Sequence, residues 1–571
     1  MKHIGLWLKS KVFCSHLWLL LALHAGVPAV RAQTVPPPSV DPGRLRERID
    51  LPPETGRPLE QRETDLPQGR GVPESMKSMR VTLKTIRIEG ATALPGDVLQ
   101  VKADSYIGRE ISGSDILELA SLLTAMYRNA GYILSMVVVP PQSLESGLLT
   151  LNVVEGYIVQ VTVRADEGVS EHVRASLAEA GEKIRASRPL NAAVLERYLL
   201  IANDFPGITL RSVLAPSREP GAADLTLVAA LNKAEGFLSL DKYGSRYLGP
   251  VQLTLGATAN QVLGVNDQWR FVAAGTGNSE MAYAQVSYGQ VLNAEGLRLT
   301  ASISSARTRP GDSLKAFAVH GIADTLSLGL SYPLLRTRNE SLLARAAYEH
   351  SDIHTDILGA RVVEDRIRAL RLGLSWRVLD RLDGQNTLEL DFSQGLGGTQ
   401  SSDLLKSRVG ADGVFSKLTF DYERSQPLGP HSSIVAGIGG QWSNTPLLSS
   451  EQYALGGRRF GRAYEPAELT GERALALRVE PRYVDEINTA GLRSYQLFGF
   501  YDIGRVWKLG TPTPGLPASP SLASAGFGVR LFFVKNMFAV IEAAWPLTRA
   551  LAGNPAGGKA ARLLASVVLR F

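Results

Sequence analysis

The second half of the chain most constrains what it can fold into. From about Glu235 to Phe571 there is no convincing amphipathic helix, only short runs that alternate apolar and polar residues between Gly, Asn and Asp turns. PVQLTLGATA, LRLTASIS, IRALRLGLSWRV, NTLELDFSQ and LLASVVLRF are typical. With a first run near GFLSLDKYG they number about sixteen, each taking about 21 residues with its turn. One set of alternate positions is apolar and aromatic, and the other is Ser, Thr, Arg, Gln and Gly. That two-sided pattern predicts lipid on one face and a polar lumen on the other. LLASVVLRF sets Leu563, Ala565, Val567, Leu569 and Phe571 on one face, and its open edge needs a partner. Pairing it with the first run closes a transmembrane antiparallel β-barrel over 234–571. The apolar face then meets lipid, and Phe571 falls in an interfacial aromatic girdle. A soluble β-sandwich or propeller is the competing architecture.

The N-terminus argues against that competitor. Lys2, Lys9 and Lys11 flank the apolar run LWLLLALHAGV (17–27), and Val30-Arg31-Ala32 has small residues at cleavage spacing. Residues 1–32 are therefore expected to be a signal peptide cut after Ala32. The formal charge of +6 then falls to about +2, because Lys2, Lys9, Lys11 and Arg31 leave with it. The basic balance that a nucleic-acid partner needs leaves too. So does Cys14, the only cysteine, and the mature chain is no disulfide scaffold. No run of eighteen apolar residues follows the first thirty, so no spanning helix is on offer. Enzyme chemistry has no foothold: the G-x-S-x-G, HExxH and GxxxxGK[ST] motifs are all absent. His350 and His354 are four apart in strand-and-loop sequence, where that spacing does not converge on a metal. No catalytic residue, metal ligand or cofactor is assigned.

Between signal and barrel the grammar differs. Residues 33–79 are Pro-rich and charged, a linker by composition. Within them only DPGRLRERID (41–50) can form a short helix, with Asp41 as N-cap and Pro42 in first position. Residues 80–156 read as an α/β unit. Strands are expected at 81–90, 132–142 and 147–156, and a helix over 114–130 carries Ile116, Leu119, Leu123 and Tyr127 at helical spacing. Residues 157–233 repeat the order, with helices at 170–181 and 191–204 and strands at 158–165, 208–216 and 221–231. Two such units in succession indicate a tandem arrangement.

YRNAGYILSMVVVPPQ, LNVVEG, NDFPGITLRSVLAP, DKYGSRYLG and YPLLR together resemble the outer-membrane transporters of two-partner secretion (type V), within the Omp85 superfamily. The likeness covers nearly all of the mature sequence. GFYDIG carries Phe500, Asp502 and Gly504, matching the superfamily's barrel-strand motif. LGGRRFGRAY resembles the tip of the long sixth loop, usually V-R-G-F/Y. Here it reads Gly461-Arg462-Ala463-Tyr464, departing at two positions, and Ala463 reaches positive φ less easily than glycine.

The resemblance implies two periplasmic POTRA domains (80–156 and 157–233) before an outer-membrane pore. That pore passes an unfolded, large secreted β-helical exoprotein, an adhesin, hemagglutinin or cytolysin, to the cell surface. It implies that Arg462 pairs with Asp502 inside the barrel. It also implies an N-terminal helix that plugs the pore at rest, a role that segment 41–50 fits by position and charge, with Arg44, Arg46 and Arg48 facing lumen carboxylates; an inert linker helix is the equal alternative. Leu569 and Phe571 would serve as the C-terminal signal read by the barrel assembly machinery. Strand addition at the edge carrying Tyr132, Leu134, Met136 and Val138, beside the 114–130 helix, would take the partner. The alternative within the superfamily is an insertase for outer-membrane proteins. Two POTRA units and the Pro-rich extension favour the transporter.

Overall fold

The computed structural model describes residues 36–49, 80–397, 403–489, 491–510, 517–534, 536–550 and 558–571. The expected signal peptide, Cys14 and most of the Pro-rich extension lie outside the described residues. The first described segment is short. Two 3-10 turns (Pro38–Val40 and Pro42–Arg44) lead into one α-helical turn, α1 (Leu45–Arg48). Asp41 accepts from the Gly43 N–H at 2.9 Å and Pro42 opens the second turn, the expected capping pair, but the helix is far shorter than 41–50.

The first α/β unit contains β1 (Arg80–Thr82), β2 (Thr85–Glu89), α2 (Gly96–Asp104), β3 (Glu110–Ser112), α3 (Gly113–Asn129), β4 (Met136–Val138) and β5 (Leu148–Val154). Ser112 and Asp115 form a reciprocal capping box that starts α3, and Gly131 at φ +94° stops it. The apolar stripe of α3 buries Ile116, Leu119, Leu123 and Tyr127 against the inner face of the sheet β2-β5-β4. The second unit has β6 (Tyr157–Ala165), α4 (Glu171–Arg185), α5 (Ala192–Asn203), β7 (Ile208–Pro216) and β8 (Ala222–Leu231). Its sheet runs β6-β8-β7, so in both units the last strand is central, parallel to the first and antiparallel to the third. The helix α2 and the small pair β1–β3 were not expected. The strand expected over 132–142 shrinks to three residues, because Tyr132 to Ser135 turn away to pack against the core and the next unit.

The remaining chain forms a closed barrel of sixteen antiparallel strands. They begin with β9 (Ala234–Asp241), β10 (Gln252–Asn260), β11 (Asp267–Thr276), β12 (Met281–Val291) and β13 (Arg298–Thr308). The longest follow: β14 (His320–Arg336), β15 (Glu340–Ile357) and β16 (Ala360–Leu379). Then come β17 (Gln385–Gly395), β18 (Ser416–Pro427) and β19 (Ser432–Ser443). A loop holding the small pair β20 (Tyr453–Leu455) and β21 (Leu469–Gly471) precedes β22 (Arg473–Thr489). The last four are β23 (Leu492–Trp507), β24 (Ser521–Phe533), β25 (Met537–Pro546) and β26 (Arg562–Arg570). All sixteen alternating runs of the sequence are barrel strands.

Closure is made as the terminal alternation requires. Ser566 to Arg570 pair with Asp241 to Phe237, and the backbones of Gly236 and Phe571 exchange hydrogen bonds at 2.8 and 3.0 Å. Side chains such as Leu328, Leu372, Phe527 and Leu563 are more than half exposed on the outside, while Ser304, Ser351, Gln441 and Ser566 are buried inward. Turns at the end nearest the α/β units span six residues or fewer, while those at the opposite end run to ten or more, except 277–280 and 358–359. The second unit docks on the short-turn rim. Arg336 grips Asp204 through two bonds of 2.7 and 2.9 Å. Glu295 accepts from Tyr198 at 2.7 Å and lies 3.3 Å from Lys183. Phe205, Ile201 and Ala202 pack with Val291 and Ala294 beneath them.

Candidate functional site

The site begins with alternation. On β23 the even-numbered residues Phe498, Phe500, Asp502, Gly504 and Val506 point inward. On β22 their partners place Arg478, Glu480 and Arg482 inward as well. Charges in a narrow lumen need counter-charges, since desolvation costs several kcal/mol per unpaired ion, about that much even after relaxation. The loop 444–472 folds back into the barrel and supplies one. Glycines allow the approach. Gly461 adopts φ +83°, where a Cβ would also lie 2.6 Å from Leu522, and Gly504 leaves room for Leu455 of β20.

At the tip Arg462 is 5% exposed. Its Nε and Nη2 donate to the two oxygens of Asp502 at 3.2 Å each, a bidentate fork. The backbone N–H groups of Gly461 and Arg462 donate to Asp502 Oδ2, also at 3.2 Å, and Ser524 Oγ adds a bond of 3.3 Å. Arg462 Nη1 donates to Glu480 at 2.7 Å, and the guanidinium lies 3.6 Å from the centroid of Phe500. Glu480 is shared with Arg482 and Arg530 at 2.7 and 2.8 Å, and Glu542 stands 3.8 Å from Arg462. Three guanidinium groups thus face three carboxylates. Tyr464 is fully buried; its hydroxyl donates to the Ala523 carbonyl at 3.2 Å and accepts from the Arg549 N–H at 3.1 Å. Ala463 is buried too, and the left-handed residue of the turn is Gly461 rather than residue 463. The alanine at 463 therefore meets no demand for positive φ: the turn takes it one step before the arginine.

Glu480, Arg482, Ser524, Arg530 and Glu542 were not singled out from the sequence. Their signal was present: each is a polar or charged residue at an inward position of an otherwise apolar run. Which of them converge depends on inter-strand register, which a single sequence does not display.

The N-terminal segment lies in the lumen. Val40, Leu45 and Ile49 are buried with Ala306, Ala323, Ile353 and Ile367 of the wall. Of the three arginines expected to meet wall carboxylates, only Arg46 does, at 2.8 Å from Glu349. Glu349 continues into a network with Arg371, Glu451 and Lys417, with contacts of 2.7 to 2.8 Å. Arg44 instead donates to the carbonyls of Gln452 (3.0 Å) and Ser449, at the root of the inward loop. Arg48 turns back to the carbonyls of Ser39 and Pro38. Residues two apart do not share a helical face, so three alternate arginines could not all reach one wall. A cavity of about 320 Å³ remains beside Arg46, Glu349 and Arg371.

The residues expected to line a partner-binding edge divide. Met136 and Val138 are exposed on β4, the edge strand. Tyr132 packs edge-on against Tyr127 at 6.1 Å, and Leu134 packs on the core of the second unit. Those two are structural. The second unit offers a longer open edge, nine-residue β7, with Val213 52% exposed. At the seam Leu569 and Phe571 face outward; Phe571 is 74% exposed, with its ring against Gly236.

A closed barrel with an apolar outer face, whose lumen holds an N-terminal segment and a clamped inward loop and whose rim carries an α/β arm, is built as a membrane-spanning pore. Residues 225–531 match the family "Haemolysin secretion/activation protein ShlB/FhaC/HecB", and residues 81–156 match the ShlB-type POTRA domain. The chain belongs to that family: it is a two-partner secretion transporter of the Omp85 superfamily, in the outer membrane with its POTRA arm in the periplasm. Similar proteins include the heme/hemopexin transporter protein HuxB of Haemophilus influenzae (strain ATCC 51907 / DSM 11121 / KW20 / Rd). It is 23% identical over 452 residues, which cover 78% of this chain and 79% of that one. The outer membrane transporter CdiB of Dickeya dadantii is 24% identical, covering 70% and 72%. The fold is also that of CdiB from Escherichia coli, with TM-score 0.68, 18% identity and 88% and 93% of the chains covered. CdiB from Acinetobacter baumannii superposes with TM-score 0.59 at 16% identity over the whole of both chains. The family's members are transporters, not enzymes, and each works with a secreted partner protein. The transporter reading thus stands over the insertase.

Proposed function

We propose that the chain exports one large β-helical exoprotein, an adhesin, hemagglutinin or cytolysin, and that the Arg462–Asp502 clamp sets the state of the pore. The carrying observation is that the inward loop reaches Asp502 through both side chain and backbone, so that the tip is held as a unit. The segment 37–49 is the resting plug; its packing in the lumen and the bonds of Arg44 and Arg46 support that role. The unfolded partner first meets the open edges of the arm, β4 through Met136 and Val138 and then β7 of the second POTRA domain, whose exposed backbone can accept an added strand. The sequence carries no phosphate-loop motif, and the family implies that folding of the partner outside drives its passage. During biogenesis the barrel assembly machinery reads the outward face that ends in Leu569 and Phe571.

Mass-spectrometric comparison of culture medium and outer membranes, with and without the gene, tests this reading. The expected result is loss of one large protein with a repetitive β-sequence from surface and medium, other barrels being unchanged. Depletion of many barrels with an unchanged medium would defeat it.

A further inference from the structure

At the mouth opposite the periplasmic arm three loops meet at one carboxylate. Glu472, between β21 and β22, is fully buried. Its Oε1 accepts from Gln452 Nε2 at 2.8 Å, its Oε2 accepts from the Leu509 N–H at 2.9 Å, and the Arg408 guanidinium closes on Oε1. Gln452 belongs to the inward loop, Leu509 follows β23, and Arg408 belongs to segment 403–415 before β18. Arg408 Nη2 also donates to the Leu509 carbonyl at 2.6 Å, and the Ser449 N–H donates to Ser407 Oγ at 2.9 Å. On the underside of segment 403–415, Ala411 and Phe415 are buried in one cluster with Leu447, Leu448 and the N-terminal Val40 and Leu45. On its upper side Leu404 and Val409 are each 78% exposed.

We propose that segment 403–415 is a lid over the plug, that the Arg408–Glu472 pair is its latch, and that the latch must open for export. A buried ion pair adds little net stability, because desolvation offsets its attraction, but it fixes position closely. A segment that leaves much of its apolar surface in water and is held by such a pair is a locally weak unit, suited to opening without unfolding the barrel. The latch shares no residue with the Arg462 cluster, so lid and loop tip are released separately.

The proposal rests on the export reading, and its first test is independent of it. Cys14 is the only cysteine of the chain and falls in the expected signal peptide. Ala411→Cys therefore reports lid opening through labelling of intact cells by a membrane-impermeant maleimide. No labelling is expected with the latch intact, and gain of labelling is expected in R408M and E472Q, with heat-modifiable mobility confirming a folded barrel. Shielding that persists in both variants overturns the latch. A second variant, S407C/S449C, locks the lid under an oxidant without touching the pair. Loss of export that a reductant restores is expected, and normal export from the locked lid overturns the gating role. A latch that opens in the labelling test, in a chain whose reduced form exports nothing, counts against the export reading instead.

Discussion

Arg462, marked in the sequence by its motif, is held in place by what converges on Asp502. Its fork, its backbone N–H and that of Gly461 all end on one carboxylate, so replacing Asp502 would orphan four N–H donors at once. Arg462→Ala takes from the buried Asp502 its ion-pair partner, while Glu480 keeps Arg482 and Arg530; a buried charge left without its partner costs about 3–5 kcal/mol. Export should be abolished and the heat-modifiable transition of the barrel lowered, whereas Arg462→Lys, which keeps charge but loses the fork, should retain a folded barrel with reduced export. Normal export from Arg462→Ala would remove the clamp from the mechanism. A second residue acts in the periplasmic arm. Burial raises the Glu155 carboxyl, but hydrogen bonds from Thr92, Ala93 and Tyr127 outweigh that and hold it below its ordinary value. The stability this supplies is present above the unfolded value and is lost as pH falls through the lower folded one. Hydrogen exchange over 80–156, corrected for intrinsic rates, should show protection falling below about pH 4.5. Glu155→Gln should be weaker at neutral pH and flat across that window; an equal pH response in both proteins would rule the carboxyl out.

Among the elements, the N-terminal segment is the smallest and the most dependent on its surroundings. One α-helical turn cannot persist alone in water, since helix nucleation is unfavourable and isolated helices need about 12–15 residues. It is ordered because Leu45 fills an apolar pocket of the wall and Arg44 satisfies carbonyls at the root of the inward loop. A segment held only by its socket can leave it as a unit. Deleting 37–49 should raise single-channel conductance in planar bilayers; an unchanged current would leave the segment as an inert linker. Strand length follows the same logic of context. The barrel strands were legible because alternation runs through all of them, whereas β4 was over-read because the apolar residues before it pack on other elements.

For the whole molecule the weakest join is the seam. Its paired register runs from Ser566 to Arg570, extended by the backbone bonds of Phe571 with Gly236 and of Lys242 with Ala565, whereas the ladders on either side pair over eight residues. The ring of Phe571 lies outside the barrel against Gly236, so it adds little to the packed interior. Phe571→Ala should therefore lower the amount of folded barrel in the outer membrane while leaving the melting of purified barrel close to that of the parent. A matching loss in both measurements would make its role structural instead of a signal for assembly. At the periplasmic rim the arm is seated by Arg336, Glu295 and a small apolar patch, and the second unit is bonded to three short turns or strand ends of the barrel.

What the sequence determined by itself was everything periodic. Sixteen two-sided strands and two α/β units in tandem are local patterns that follow from the repeat of strand and helix, and the motif residues Arg462 and Asp502 were marked by resemblance to a known family. What only the tertiary structure decided was everything convergent. Arg44 meets loop carbonyls and no carboxylate of the wall, Leu134 is spent on a domain contact, and Gly461, not residue 463, takes the positive φ of the loop tip. The second lock at Glu472 draws on loops more than sixty residues apart in sequence. Barrel closure brings such residues together, and no window of the chain contains both sides of the contact.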